Sequence, residues 1–148
     1  MDKTTAIFLV ILVVGATLRF YNLDSKSAWY DEVFVVEHLK KSLWDIWRGV
    51  GESGHPPFYY ILSYIAGAKT IVQLRVLSAL FGILSLIAFY FVIEELFGVR
   101  EALLSMFMLS ISHLSIQYSQ MARMYSMTLF MVLLTTFILV KSLKTNSN

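Results

Sequence analysis

The chain of 148 residues is 57% hydrophobic and 15% aromatic, with a mean hydropathy of +0.68, well beyond what a soluble domain of this length carries. Twelve Lys and Arg against ten Asp and Glu leave a formal net charge of +2, too little to point to a nucleic-acid partner. The absence of cysteine excludes disulfides, thiolate zinc sites and a catalytic thiol.

A bilayer helix needs about 20 mainly apolar residues, so the gap between successive charges is the useful ruler. The first gap, between Lys3 and Arg19, is short, and extends to a span over about 4–21 if the Arg19 side chain snorkels to the interface. Its basic start and small residues also fit a cleavable signal peptide, but the apolar segments that follow favour an anchored, polytopic chain. Residues 22–75 carry scattered charges and read as a large outer loop. Within it Val36, Leu39, Leu43 and Ile46 recur at helical spacing, with Trp44 and Trp47 beside them, which predicts an amphipathic helix over 31–47 lying along the membrane surface. The piece PPFYYILSYIAGA is too short to span comfortably and reads as a juxtamembrane or re-entrant helix begun by Pro56 and Pro57.

Three further spans are expected at about 76–94, 102–122 and 124–140, the first two joined by a tight turn at Gly98 and the last two by a short turn near Arg123. The whole is expected to be an all-α membrane protein, a single module of about four transmembrane helices with amphipathic juxtamembrane helices in the loop. Four spans place both termini on one face, with Lys3, Arg100, Lys141 and Lys144 on the cytoplasmic side, and gather Asp31, His55, Arg75 and Arg123 on the other. Glu94, Glu95 and Glu101 are expected as solvated helix ends, and His113 as a packed interhelical histidine.

Three constellations carry chemistry. Asp31 and Glu32, in WYDEVF, are adjacent carboxylates at the membrane surface; they suit a general base or a shared divalent cation, while Asp31 equally suits a helix cap. No cofactor other than such a cation is indicated. His55, in GHPPFYY, precedes two prolines and has little backbone freedom, which suits either a binding site or a simple helix start. Arg123, in YSQMARMYS, stands between two spans with Tyr118 and Tyr125 around it, placed to grip a phosphate or to snorkel among headgroups, and Arg75 has the same two readings.

In register, LRFYNLDSKSAWYDEVF, GHPPFYYILSYIAG, LRVLSALFGILSLIAFYFV and IQYSQMARMYSM resemble the amino-terminal part of the C-type membrane glycosyltransferases, in particular the protein mannosyltransferase and aminoarabinose transferase branch. The resemblance implies an enzyme that uses a polyprenyl-phosphate sugar donor on the non-cytoplasmic face, in a multi-pass protein of the cell membrane. It assigns Asp31 the role of base toward the acceptor hydroxyl and sets Glu32 beside it. It also matches His55 to the donor side of the loop, and Arg123 and Tyr125 to an Arg-x-Tyr motif. Such enzymes use more spans than the four found here, so activity is expected to need further helices from a second chain or from self-association. Two other readings stand beside it: a non-catalytic membrane subunit or truncated remnant, and a small ion-coupled transport component.

Overall fold

The computed structural model describes residues 2–52 and 56–146, and everything regular in them is helical. Helix α1 (Lys3–Phe20) starts where the Asp2 carboxylate accepts the Thr5 N–H at 2.7 Å. Two short helices follow, α2 (Tyr30–Leu39) and α3 (Leu43–Glu52), then α4 (Phe58–Ile65) and the long α5 (Ile71–Phe97). After Gly98 come α6 (Val99–Ile111), α7 (His113–Ser119) and α8 (Tyr125–Asn146). The turn at Gly98 has φ +105°, a conformation only glycine adopts without strain.

Three helices, α1, α5 and α8, are long and apolar enough to cross a membrane, and α6 with α7 makes a fourth if the bent pair counts as one span. The protein is therefore an all-α, multi-pass membrane protein. Helix α4 rises only about 12 Å over its eight residues, less than half the hydrocarbon thickness, and does not cross.

Side-chain contacts set the helix directions. Phe8 meets Tyr90 edge-on at 4.9 Å while Gly15 lies against Leu86, so α1 runs antiparallel to α5. Ser126 donates to the Ser78 carbonyl at 2.8 Å, and further along Lys144 pairs with Glu95 at 3.3 Å, so α8 runs parallel to α5. The loop 21–70 and the turn at 120–124 thus share one end of the bundle, and the termini share the other. In lipid there is no hydrophobic drive between helices, so close approach and hydrogen bonding hold them together. The buried face of α5 is accordingly rich in small residues, Ser78, Ala79, Gly82, Ser85 and Ala88.

The tightest approach is at Gly82, where an added Cβ would lie 2.1 Å from Ser119 Oγ and 2.7 Å from Ser119 Cβ. Because the obstacle includes Ser119 Cβ itself, α7 must move. Gly82→Ala is expected to destabilise the protein by about 1–3 kcal/mol, and Ser119→Gly in the same chain to recover most of that loss. Thermal unfolding in detergent, read for both single variants and the pair, checks this.

Among the expectations that the structure corrects, four concern the helices and their packing. The predicted helix over 31–47 is broken at residues 40–42, where Ser42 Oγ accepts the Asp45 N–H and starts α3. The break lets Val35 and Ile46 both reach the same buried cluster with Tyr59 and Tyr60. The predicted span 102–122 bends by 63° at Ser112. Arg19 does not snorkel: it is fully buried and donates to the carbonyls of Gly15, Leu109 and Ser110 and to Ser115 Oγ, the last three on either side of the bend between α6 and α7. His113 is not packed between helices; as the first residue of α7 it is exposed beside a cavity.

A carboxylate–arginine site at the loop end of the bundle

Helix α2 begins at Trp29, whose N–H is accepted by the Glu32 carboxylate at 3.1 Å, so the helix cap is Glu32 and not Asp31. This turns Glu32 inward. It is fully buried and meets Arg75 in a two-point pair, Nε to Oε1 at 2.9 Å and Nη2 to Oε2 at 2.7 Å. Glu32 Oε1 also accepts the Ala122 N–H at 2.7 Å. The remaining N–H groups of Arg75 go to the carbonyls of Leu23, Lys26 and Ser27 at 2.7, 3.0 and 3.2 Å. All five guanidinium donors are therefore engaged. Burial alone would raise the Glu32 pKa, but the hydrogen bonds from Arg75, Ala122 and Trp29, with the Arg75 charge, outweigh it and hold the carboxyl below its usual range.

Because this pair ties α2, α5, the 23–27 segment and the 122 turn to one another, it fixes the neighbours on either side. Asp31, one residue before Glu32, points outward with 57% of its side chain exposed. Arg123, one residue after Ala122, is buried and sits 3.8 Å from Asp31 Oδ2, with Nη1 donating to the Asp31 carbonyl at 3.4 Å. Arg123 Nε has no hydrogen-bond partner among the described residues. The Tyr125 ring lies 5.8 Å from the Arg123 guanidinium and packs against Tyr118 at 4.8 Å.

Of the six residues singled out in the sequence, the structure brings Asp31, Arg123 and Tyr125 together and joins Glu32 to Arg75 behind them. His55 lies outside the described residues. The Asp31 and Glu32 side chains face opposite ways, and among the described residues no three His, Asp or Glu side chains gather as a cation site. Glu94 and Glu95, at the far end, are engaged by Tyr90 and Lys144.

Two hollows flank the site. A cleft of 590 Å³ lies under the Glu32–Arg75 pair, lined by Tyr21, Lys26, Trp29, His113 and Gln117 among others. Gln120 closes part of its wall, donating to the Leu18 and Tyr21 carbonyls at 2.9 Å each and accepting from Lys26. An apolar groove of 610 Å³ runs between α7 and α8, lined by Pro56, Tyr118, Met124, Tyr125, Leu129 and Val132. It includes Met124 and Tyr125, which follow Arg123, and continues along α8 to Val132.

Sequence reasoning missed two features here. One is Tyr60, buried to 1% exposure beside this group. The other is the Glu32–Arg75 pair, whose local signal is an arginine four residues into a span that begins with a Thr70 cap.

The three or four membrane-length helices, with Asp31 and Arg123 paired at the loop end, make this a multi-pass membrane protein. Residues 55–148 match the family described as dolichyl-phosphate-mannose-protein mannosyltransferase. The chain belongs to that family, whose members are membrane glycosyltransferases of the GT-C type using a polyprenyl-phosphate-linked sugar. No curated relative and no solved structure matches it.

Proposed function

We propose that this chain transfers a sugar, mannose by its family, from a polyprenyl phosphate to an acceptor hydroxyl at the non-cytoplasmic face of the cell membrane. The observation that carries the reading is the Asp31–Arg123 pair: an exposed carboxylate 3.8 Å from a buried cation, at the membrane-surface end of the bundle. The roles follow from charge. As the acceptor oxygen bonds to the anomeric carbon, its proton passes to Asp31. The bond from that carbon to the phosphate oxygen breaks, and its electron pair leaves with the polyprenyl phosphate. Arg123 stabilises the charge that develops there, with the Tyr125 ring beside it. Glu32 and Arg75 position these groups and do not contact the donor.

Membranes containing the chain, supplied with labelled polyprenyl-phosphate mannose or with the nucleotide-linked sugar, test the reading. Transfer from the lipid-linked donor alone is expected. Transfer from the nucleotide sugar alone, or from neither, overturns it, and the latter favours a non-catalytic subunit.

A further inference from the structure

Two tyrosines follow each other in α4, and among the described residues only one of them has its hydroxyl satisfied. Tyr59 is fully buried, and its hydroxyl bonds Ser78 Oγ at 2.9 Å and the Leu74 carbonyl at 3.2 Å. Tyr60 is equally buried, but its hydroxyl has no partner among the described residues. A hydroxyl left so costs about 1–3 kcal/mol, a cost that phenylalanine would avoid at the same packing. The Tyr60 ring is held edge-on by Tyr59 at 6.2 Å and by His38 at 6.1 Å, so it is not free to seek water.

The groups that act electrostatically on this hydroxyl are Arg123, Asp31 and Tyr125. Arg123 itself keeps Nε buried and unpartnered. Tyr60 packs in one cluster with Ala122, the residue before Arg123, so two buried donors without partners among the described residues lie on neighbouring groups, where an oxygen-rich anion would answer both. The apolar groove that starts at Tyr125 and includes Pro56 gives such an anion a neighbouring channel for a hydrocarbon tail. We propose that the Tyr60 hydroxyl is a second hydrogen-bond donor, beside Arg123, to the phosphate of a prenyl-type lipid, and so a binding residue of the site. The assignment rests on the proposed function for the identity of that lipid. Burial, the largest influence, raises the Tyr60 pKa even against the nearby Arg123 charge, so the hydroxyl keeps the proton it is to donate.

The experiment uses the full chain in nanodiscs, with polyprenyl monophosphate, the uncharged polyprenol and inorganic phosphate as probes. Tyr60→Phe is expected to weaken polyprenyl monophosphate binding about ten- to a hundredfold, to leave polyprenol binding unchanged, and to lower the thermal midpoint not at all. In transfer assays it should raise the donor KM more than it lowers kcat. Equal binding of polyprenyl monophosphate by wild type and Tyr60→Phe overturns the proposal, as does a wild type that binds polyprenol as tightly as its phosphate. Full competition by inorganic phosphate at matched concentration would show a free-phosphate site and overturn the lipid-borne ligand. If wild type transfers no sugar yet Tyr60→Phe still weakens binding, the site stands and the proposed activity falls. If transfer is present and Tyr60→Phe changes neither binding nor donor KM, the activity stands and this site falls.

Discussion

Asp31→Asn is expected to lower sugar transfer by about 10²–10⁴-fold while membrane insertion and unfolding stay as in wild type. The separation follows from where the side chain sits. More than half exposed and 3.8 Å from Arg123, Asp31 makes a loose ion pair of the kind that contributes little to stability. Asparagine keeps the shape but loses the charge, and with it this weak ion pair and the ability to accept a proton. Arg123 still holds the Asp31 carbonyl at 3.4 Å, so the backbone of α2 has no reason to move. Transfer by Asp31→Asn at the wild-type rate, with both chains present in equal amount, would remove Asp31 from the chemistry. The donor KM should change less than kcat, because the lost group faces the acceptor.

Glu32→Gln shows the opposite profile: the adjacent acid is expected to govern stability first. Removing one partner of a buried pair leaves the other charge uncompensated, at about 3–5 kcal/mol. Here that charge is Arg75, which otherwise meets, among the described residues, only the carbonyls of Leu23, Lys26 and Ser27. A glutamine oxygen left on the Ala122 N–H puts the amide nitrogen in place of Oε2, so the loss also includes the Trp29 N–H that caps α2. Adding Arg75→Met should recover part of the loss, since no unpaired cation then remains. Unfolding in detergent of the two single variants and the pair gives the coupling directly.

Acid titration supplies an independent check on the same pair. The folded Glu32 pKa lies below its ordinary value of 4.5, so its stabilisation is complete above that pH and is lost as pH falls through the folded value. Wild type should therefore show a loss of stability below pH 4.5 that Glu32→Gln lacks. If both lose stability alike across that window, another carboxylate is responsible.

Much of this arrangement was legible before any coordinates. Runs of apolar residues between charges gave the spans, because a helix in lipid must satisfy its backbone internally and can carry few charges. The short HPP segment read as non-spanning for the same reason of length, and the shared end of Asp31, Arg75 and Arg123 followed from counting four crossings. Charge spacing puts the span edge at 76, because Arg75 reads as a boundary; the helix instead begins at Ile71, since Glu32 neutralises that charge inside the protein. Hydropathy cannot register a charge that a partner 43 residues away cancels.

The sequence by itself therefore determined what depends on local composition: an all-helical membrane chain, its loop end, and the residue types gathered there. Tertiary structure alone decided which acid is which. Asp31 and Glu32 are neighbours with the same chemistry, yet one turn of α2 sends one outward and the other onto Arg75 and the Ala122 N–H. The same holds for Tyr59 and Tyr60, one answered by Ser78 and Leu74 and the other without a partner among the described residues. Both distinctions are set by contacts between elements far apart in the chain, and in a desolvated interior those contacts fix which polar groups are satisfied and which remain to meet a ligand.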